Sequence, residues 1–302
     1  MTSSFLEVHD LSAKQLSNVI ARAMQWKRVP RDVPKPLVGK GVAVLFEKPS
    51  ARTRSSTEMA VFTLGGHPIY IRPEEVGLDT RETVEDVART LAGYCEVIAA
   101  RTFAHSTLER MAAVVDKPVI NLLSDAAHPC QAIADVLTLQ EHWGELAGRR
   151  VAYIGDGNNV AASLAYAAAL SGMEFVVASP TGFELSAATV ARVRELGGVI
   201  DVTNVPLDAA DGADALYTDV WTSMGQESER DARLDAFAHF QIDSGVLSAA
   251  KPDAVVLHCL PAHRGEEISA EVLDGPQSLI WPQAANRMDA VRSVLVELLE
   301  GA

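Results

Sequence analysis

The sequence is poor in features that mark several whole classes of protein. Its 302 residues include only three cysteines and no Cys-x-x-Cys pair, which excludes a disulfide framework and a structural zinc site. Its formal charge is −14, from 26 basic and 40 acidic residues, which excludes a nucleic-acid or anionic-membrane binder because such a protein needs a basic face. No apolar run approaches the roughly 20 residues that cross a bilayer, and residues 1–7 lack the pattern of a signal peptide. We therefore expect a cytoplasmic protein.

What the sequence has is a regular alternation of short, β-branched apolar runs with longer segments of helical period. The candidate strands are residues 41–46, 67–71, 97–101, 118–122, 150–155, 174–179, 199–203, 215–220, 254–259 and 278–281. Segments between them, such as 83–94 and 160–170, carry apolar residues three and four positions apart. This alternation predicts an α/β protein whose parallel sheets are covered by helices on both faces.

Ten strands are more than one such sheet usually holds, which indicates two domains. The long helical stretch 129–143, followed by Gly144 and Gly148, marks the break. We predict two doubly wound parallel-sheet domains joined by interdomain helices, with residues 1–144 in the first and 145–283 in the second. The last helix, within 284–302, lies far from the first domain in sequence and is expected to pack back on it.

The segment from Glu47 to Arg54 follows the first strand and concentrates anion-binding groups. Where a strand leads directly into a helix, backbone N–H groups at the helix start and the helix dipole favour an anion. Arg52 adds a planar guanidinium, and Ser50 and Thr53 add hydroxyl donors. The segment is typical of a phosphate site, although a solvated turn with Ser50 as an ordinary N-cap fits the same residues.

A glycine-rich turn, Gly155-Asp156-Gly157, stands at the end of the fifth candidate strand. It matches part of the dinucleotide-binding pattern, but Val160 stands where the third glycine belongs, and the next strand ends in Ser179-Pro180 rather than in an acidic residue. A nicotinamide dehydrogenase is therefore disfavoured. What remains is a tight turn that presents asparagines, including Asn159, at a sheet edge where open α/β folds bind ligands.

A second polar segment begins with Asp219, at the end of the strand 215–220, and continues through Ser223 and Met224. A carboxylate can hold an ammonium group, while Ser223 and the backbone around Gly225 can hold a carboxylate. The segment therefore has groups that could bind both the ammonium group and the carboxylate of an α-amino acid. The alternative is a polar loop in which Asp219 caps the next helix.

Five further polar side chains stand at strand ends, at a helix start or in the last helix. Arg101 closes an apolar strand, so its guanidinium can reach the sheet edge where the anion-binding segment lies. His128 and Gln131, at a helix start, can both donate to an oxygen that gains charge. Ordinary structural interpretations stay open: a core or cap residue for His128, inert packing for Cys259, and an exposed helix position for Arg287.

Taken in order, the motifs Ser-x-Arg-Thr-Arg, His-Pro-Cys-Gln, Asp-x-x-x-Ser-Met-Gly, His-Cys-Leu-Pro and a late Asn-Arg closely resemble the ornithine carbamoyltransferases. The resemblance covers nearly the whole chain. Sister enzymes that carbamoylate aspartate share the phosphate motif, lack Ser-Met-Gly, and carry proline at the position of Cys259. The resemblance implies transfer of the carbamoyl group of carbamoyl phosphate to the δ-amine of L-ornithine, giving L-citrulline, in arginine biosynthesis. It further implies a homotrimer without metal or organic cofactor.

The resemblance also implies a role for each motif residue. It assigns carbamoyl phosphate to Ser50, Ala51, Arg52, Thr53, Arg101, His128, Gln131, Cys259, Leu260 and Arg287. It assigns ornithine to Asn159, Asp219, Ser223 and Met224. The catalytic residues that it implies are Arg101, His128, Cys259 and Arg287.

The chain departs from the family pattern at several positions, many of them near the carbamoyl-phosphate motif. They are Ala51 for threonine, Thr57 for phenylalanine, Gly77 for glutamine, Gly93 for arginine and Ala285 for glutamate. A carbamoyltransferase with a different amine acceptor therefore stays open as an alternative. A non-catalytic binding protein of the same fold fits less well, because it leaves Arg101, His128 and Cys259 without an evident use.

Overall fold

The computed structural model of the chain describes residues 4–222 and 227–301. The chain divides into a first unit, Met1–Leu137 with Ala285–Ala302, and a second unit, Thr138–Ala284. The first division lies seven residues before the predicted boundary at 144/145. Within the described ranges, every helix is too short or too polar to cross a lipid bilayer.

The first unit is built on one parallel sheet. Its elements are α1 (Ala13–Arg28), β1 (Gly41–Phe46), α2 (Ala51–Thr63), β2 (His67–Ile71), α3 (Pro73–Val76), α4 (Val84–Tyr94), β3 (Cys95–Arg101), α5 (His105–Val114), β4 (Val119–Leu123) and the start of α6 (Pro129–Trp143). The strand order is β2-β1-β3-β4. The chain therefore adds β2 on one side of β1 and then returns to add β3 and β4 on the other, so the order reverses between β1 and β3.

Buried strands explain why this sheet is parallel and covered on both faces. Residues 42–46 of β1 and 97–101 of β3 are all buried, as expected for strands with helices above and below. Thr83 caps α4 by accepting the N–H of Asp86 at 3.2 Å, which fixes where that helix begins. The helix then turns its apolar positions, among them Val84 and Val87, into the core.

The second unit repeats this plan with a larger sheet. Its elements after α6 are β5 (Arg150–Ile154), α7 (Asn159–Ser171), β6 (Glu174–Ala178), α8 (Ala187–Glu195), β7 (Val199–Thr203), α9 (Pro206–Ala210), β8 (Ala215–Thr218), α10 (Arg230–Phe237), α11 (Ser244–Ala249), β9 (Val255–His258), α12 (Ala270–Leu273) and the start of α13 (Ile280–Glu300). The strand order is β7-β6-β5-β8-β9, all parallel. The order here reverses between β5 and β8.

The structure confirms the α/β class with parallel sheets and nine of the ten predicted strands, with bounds that shift by at most two residues. The prediction of a strand at 278–281 is wrong. Ser278 makes only an isolated bridge with Val256, and α13 already begins at Ile280 rather than at 284. Pro282 lies in the first turn of α13, where a missing N–H costs no helical hydrogen bond. A proline at this position is therefore a signal for a helix start, which the apolar residues around it made easy to miss.

Candidate active site

The anion-binding segment and Arg101 lie side by side at the carboxyl edge of the first sheet. Strands β1 and β3 pair with Phe46 opposite Arg101, and the N–H of Glu47 donates to the carbonyl of Arg101 at 2.8 Å. Ser50 is the N-cap of α2, and its Oγ accepts the N–H of Thr53 at 3.3 Å. This edge is the place where the strand order reverses, which is the usual ligand-binding position of an open parallel sheet.

Two buried guanidinium groups converge on the hydroxyl of Thr53. Arg101 Nη1 and Arg287 Nη2 each lie 3.3 Å from Thr53 Oγ1, and the two arginines are only 6% and 4% exposed. Arg287 Nη1 also donates to Gln131 Oε1 at 2.5 Å, and Gln131 Nε2 donates to Asp135 Oδ1 at 2.7 Å. Two positive charges held together where little water enters attract an anion strongly, because the effective dielectric constant there is low. The exposed-helix interpretation of Arg287 is wrong.

His128 belongs to the same unit and is buried at the start of α6, where its carbonyl accepts the N–H of Gln131 at 3.1 Å. Burial, reinforced by the positive charges of Arg287, Arg101 and Arg52, lowers the pKa of His128 well below its usual 6.5. The imidazole is therefore neutral at physiological pH. A neutral imidazole can still donate one N–H to a ligand oxygen without adding another positive charge.

The remaining predicted residues of this segment lie nearer the surface. Ser50 is half-buried, and Ala51 and Arg52 are exposed at the start of α2. Asp135, which the sequence analysis missed, is fully buried and orients the Gln131 amide. Its spacing of four residues from Gln131 on one helix is the signal that predicts such a pair.

The positions that depart from the family pattern have different surroundings. Thr57 is fully buried on α2, one turn after the anion-binding segment. Gly77 has φ of +56°, a left-handed conformation that favours glycine. Ala51, Gly93 and Ala285 are exposed.

In the second unit, a buried carboxylate connects the ends of three neighbouring strands. Asp219 follows β8 and is 6% exposed. Its Oδ2 accepts from Asn158 Nδ2 at 3.1 Å, after β5, and its Oδ1 accepts from Cys259 Sγ at 3.0 Å, after β9. The carboxylate therefore lies at the reversal of strand order, where its charge suits an ammonium group.

Asn158, the neighbour of the predicted Asn159, donates its amide to Asp219. Its Oδ1 caps α7 by accepting the N–H of Val160 at 2.9 Å, and the hydroxyl of Tyr153 donates to the same oxygen at 3.3 Å. Burial, with the Asp219 charge added, raises the pKa of Tyr153 well above 10, so the phenol stays a donor. Asn159 is half-buried as the first residue of α7. An asparagine directly before a helix is the signal that identifies a cap.

Close packing of the chain explains the Gly-x-Gly turn. A Cβ at Gly157 would lie 2.2 Å from the backbone N of Leu185, and the N–H of Gly157 donates to the carbonyl of Phe183 at 2.8 Å. The glycine is required because another segment of backbone passes directly against it. The turn therefore gives no support to a dinucleotide site.

The segment after β9 contains a buried pair that the sequence analysis missed. His258 Nε2 lies 3.0 Å from Glu267 Oε1, and His258 Nδ1 lies 2.9 Å from the backbone N of Leu260. Leu260 has φ of +61°, which is unusual for a residue with a side chain. Ser223 and Met224, the other predicted ornithine contacts, lie outside the described residues.

Within residues 4–222 and 227–301, two groups of side chains have the composition of a metal site. Potential ligand atoms of Asp219, His258 and Cys259 lie within 4.8 Å of one another, as do those of His263, Glu266 and Glu267. In the first group both imidazole nitrogens of His258 already face a hydrogen-bond partner. A metal ion would have to displace one of these contacts, and the hydrogen bonds alone account for the arrangement.

Comparisons with known proteins agree with the chemistry of both units. Residues 3–141 match the carbamoyl-P binding domain of the aspartate/ornithine carbamoyltransferases, and residues 147–298 match their Asp/Orn binding domain. The chain is similar to an ornithine carbamoyltransferase of Acidothermus cellulolyticus, with 49% identity over 100% of this chain and 98% of the relative.

Solved structures give the same result. Ornithine carbamoyltransferase from Thermus thermophilus is 44% identical, with a TM-score of 0.90 over 99% of each chain. That from Pyrococcus furiosus is 40% identical, with a TM-score of 0.95 over 100% of this chain and 98% of the other.

Proposed function

The chain belongs to the aspartate/ornithine carbamoyltransferase family, and from that premise we propose that it transfers the carbamoyl group of carbamoyl phosphate to the δ-amine of L-ornithine. The products are L-citrulline and phosphate. The observation that carries the proposal is the convergence of Arg101 and Arg287 on Thr53, in the unit that matches the carbamoyl-P binding domain. Two buried guanidinium groups beside a hydroxyl suit the phosphate group of an acyl phosphate such as carbamoyl phosphate.

In the first unit, we assign the phosphate group to the start of α2 and to the buried arginines. Ser50, Thr53 and the backbone at the helix start supply neutral donors, while Arg52 and Arg287 supply charge. These contacts stabilise the negative charge that the phosphate gains when the bond from the carbamoyl carbon to its oxygen breaks. Ala51 keeps its predicted place in this segment, where it offers only its backbone.

The same unit supplies donors for the carbonyl oxygen of the carbamoyl group. As the amine forms its bond to the carbamoyl carbon, negative charge builds on that oxygen. Arg101 and neutral His128 donate to it, an oxyanion-stabilising role worth about 3 to 4 kcal/mol for one donor. Gln131, held by Asp135 and Arg287, is assigned to the carbamoyl amide.

In the second unit, we assign the amino-acid head of L-ornithine to Asp219, Asn159, Ser223 and Met224. The buried carboxylate of Asp219 suits the α-ammonium group, because a charge-assisted hydrogen bond is strong where water is scarce. The assignment of Ser223 and Met224 rests on the resemblance of their motif to the family. Cys259 and Leu260 keep the role that the resemblance implies, which is contact with the reacting carbamoyl group.

The attacking amine must be neutral, because only a neutral nitrogen has a free electron pair. An unperturbed alkyl ammonium has a pKa near 10.4, so the site must favour its neutral form by removing it from water or by placing positive charge nearby. A C–N bond forms, the C–O bond to phosphate breaks, and the proton that the amine loses is taken up by the leaving phosphate.

We further propose a cytoplasmic homotrimer that serves arginine biosynthesis. Six large apolar side chains among the described residues of the first unit are exposed: Val38, Met59, Phe62, Ile69, Tyr94 and Phe103. Such side chains form a subunit interface where they make one contiguous patch, and the trimer itself is what the resemblance to the family implies. Light scattering on the purified protein should give three times the chain mass of 32.3 kDa, and a value equal to one chain mass would contradict the trimer.

The test of the reaction uses carbamoyl phosphate labelled with carbon-13 at the carbonyl. With L-ornithine, the label should move to the ureido carbon of citrulline in the NMR spectrum, with equimolar release of phosphate. N-acetyl-L-ornithine, L-aspartate, L-lysine and putrescine serve as alternative acceptors. Folded protein that labels one of these and leaves L-ornithine unlabelled would contradict the proposal.

A further inference from the structure

We propose that His258 and Glu267 are positioning residues, which hold the backbone of Leu260 in place for the reaction by fixing one tautomer of the His258 imidazole. The inference rests on the proposed function, since Leu260 is assigned there to the reacting group. Neither His258 nor Glu267 has a role that the resemblance to the family assigns.

The tautomer follows from which atoms can donate. A backbone amide can only donate, so the N–H of Leu260, 2.9 Å from His258 Nδ1, requires that Nδ1 carry no hydrogen. The hydrogen of the neutral ring is then on Nε2, which donates to Glu267 Oε1 at 3.0 Å. Both side chains are completely buried, so water does not compete for either contact.

Glu267 is itself fixed in two further ways. Its Oε1 accepts the N–H of His263 at 2.5 Å, and its backbone carbonyl accepts the N–H of Ile242 at 2.9 Å. The backbone N–H of His258 donates to Gln283 Oε1 at 2.9 Å. The imidazole is therefore held between the fixed backbone of its own strand and the fixed carboxylate of Glu267. A change in the position of Glu267 would move the imidazole and, through it, the backbone N–H of Leu260.

Leu260 needs such support because its own conformation is unfavourable. A leucine at φ of +61° crowds its Cβ against the backbone, which disfavours this conformation. The preceding residue is Cys259, whose Sγ donates to Asp219 Oδ1 at 3.0 Å. Rotation of the Leu260 amide would therefore also move the thiol that orients the proposed ammonium-binding carboxylate.

Two near-isosteric substitutions separate the two contacts of His258. In His258→Asn, the amide oxygen can take the place of Nδ1 and still accept from Leu260, but the side chain is too short to reach Glu267. In His258→Gln, the terminal amide can still donate to Glu267, but no acceptor stands opposite the Leu260 N–H. His239, exposed in the same unit, provides the matched controls His239→Asn and His239→Gln.

The proposal predicts that kcat with L-ornithine falls at least about tenfold further in His258→Gln than in His258→Asn, because a buried N–H then lacks its acceptor. The KM for carbamoyl phosphate and the melting temperature should change by similar amounts in both variants. Equal losses of kcat in the two variants, or a larger loss in His258→Asn, would overturn the inference. The His239 controls should match the wild type.

A measurement on the wild type covers the case in which a variant does not fold. In protein labelled with nitrogen-15 histidine, His258 should show a pyridine-like shift for Nδ1 and a pyrrole-like shift for Nε2. The reverse pattern, or two protonated nitrogens, would overturn the inference. If the wild type forms no citrulline, the proposed function fails; if it is active while the Asn and Gln variants lose equal activity, only this inference fails.

Discussion

In the first unit the strand order reverses between β1 and β3, and the buried side chains at that point are the cations Arg101 and Arg287. In the second unit it reverses between β5 and β8, and the buried side chain there is the carboxylate of Asp219. Both positions are the ligand-binding edge that the topology provides. The two units thus share a scaffold that sets where a ligand site can form, while a few charges set which kind of ligand suits it.

The two units also use the start of a helix in opposite ways. Ser50 caps α2 beside the arginine cluster, so the dipole of α2 adds to a site that attracts an external anion. Asn158 caps α7 and donates its amide to Asp219, so here the helix start stabilises an anion that belongs to the protein. That carboxylate belongs to the protein and gives this sheet edge a negative charge, which suits a cation rather than an anion.

The largest expected effect comes from removing a cation of the first unit. Arg101→Ala should lower kcat about a thousandfold, roughly 4 kcal/mol, because the developing oxyanion loses its charged donor. Steady-state citrulline assays measure this loss, and circular dichroism checks that the fold survives. Arg89→Ala, at an exposed position of α4, is the control. If kcat of Arg101→Ala falls by less than about tenfold, the arginine cluster does not stabilise the oxyanion.

Neutralising the carboxylate of the second unit should affect the other substrate. Asp219→Asn keeps the shape of the side chain and removes its charge, so kcat/KM for L-ornithine should fall about a hundredfold through loss of a charge-assisted hydrogen bond. The KM for carbamoyl phosphate should stay within about threefold of the wild type. Asp253→Asn, exposed in the same unit, is the control. An equal rise in both KM values would contradict the division of charge between the units.

Two glycine substitutions, one in each unit, test how closely the chain packs around each position. Gly157→Ala should lower the free energy of unfolding by about 2 kcal/mol or more, because its Cβ meets the backbone N of Leu185 at 2.2 Å. Gly93→Ala, in α4 with nothing within 4 Å of its Cβ, should raise it by about 0.5 kcal/mol. Urea denaturation monitored by fluorescence measures both. Unchanged stability in Gly157→Ala would remove the packing explanation of the Gly-x-Gly turn.

The smallest effect is a dependence of stability on pH that originates in the first unit. Because the pKa of His128 is lowered in the folded state, the unfolded chain alone binds this proton below about pH 6.5. The stabilising contribution is therefore complete above that pH and decreases as the pH falls, by at most about 1.4 kcal/mol per pH unit.

Urea denaturation of the wild type and of His128→Asn at pH 7.5 and 5.5 measures this effect. The wild type should lose more stability on acidification than the variant. Parallel losses in the two proteins would show that burial and the nearby cations do not hold the His128 imidazole neutral.

Local sequence signals predicted nearly all of the elements and the places of several candidate site residues at strand ends and helix starts. The strand ends at Arg101 and Asp219 and the helix starts at Ser50 and His128 follow from runs of apolar residues and from the residues that end them. The error at 278–281 has a physical cause, since a short apolar run before Pro282 suits a strand and a buried helix start equally well.

Contacts between residues far apart in sequence account for what could not be predicted. Arg287 lies in a helix whose composition permits an exposed position, and only its packing against Thr53 and Gln131 shows that it is buried. Glu267 and His258 each look like ordinary loop or strand-end residues, and no spacing rule joins them. The fold supplies these pairs, so they become visible only in three dimensions.

Binding of carbamoyl phosphate without L-ornithine tests most directly whether the first unit alone carries the anion site. Isothermal titration calorimetry would compare the wild type with Arg101→Ala and Asp219→Asn. We predict that Asp219→Asn binds carbamoyl phosphate as the wild type does, and that Arg101→Ala binds it at least about a hundredfold more weakly. Equal weakening in both variants, or wild-type affinity in Arg101→Ala, would contradict this account.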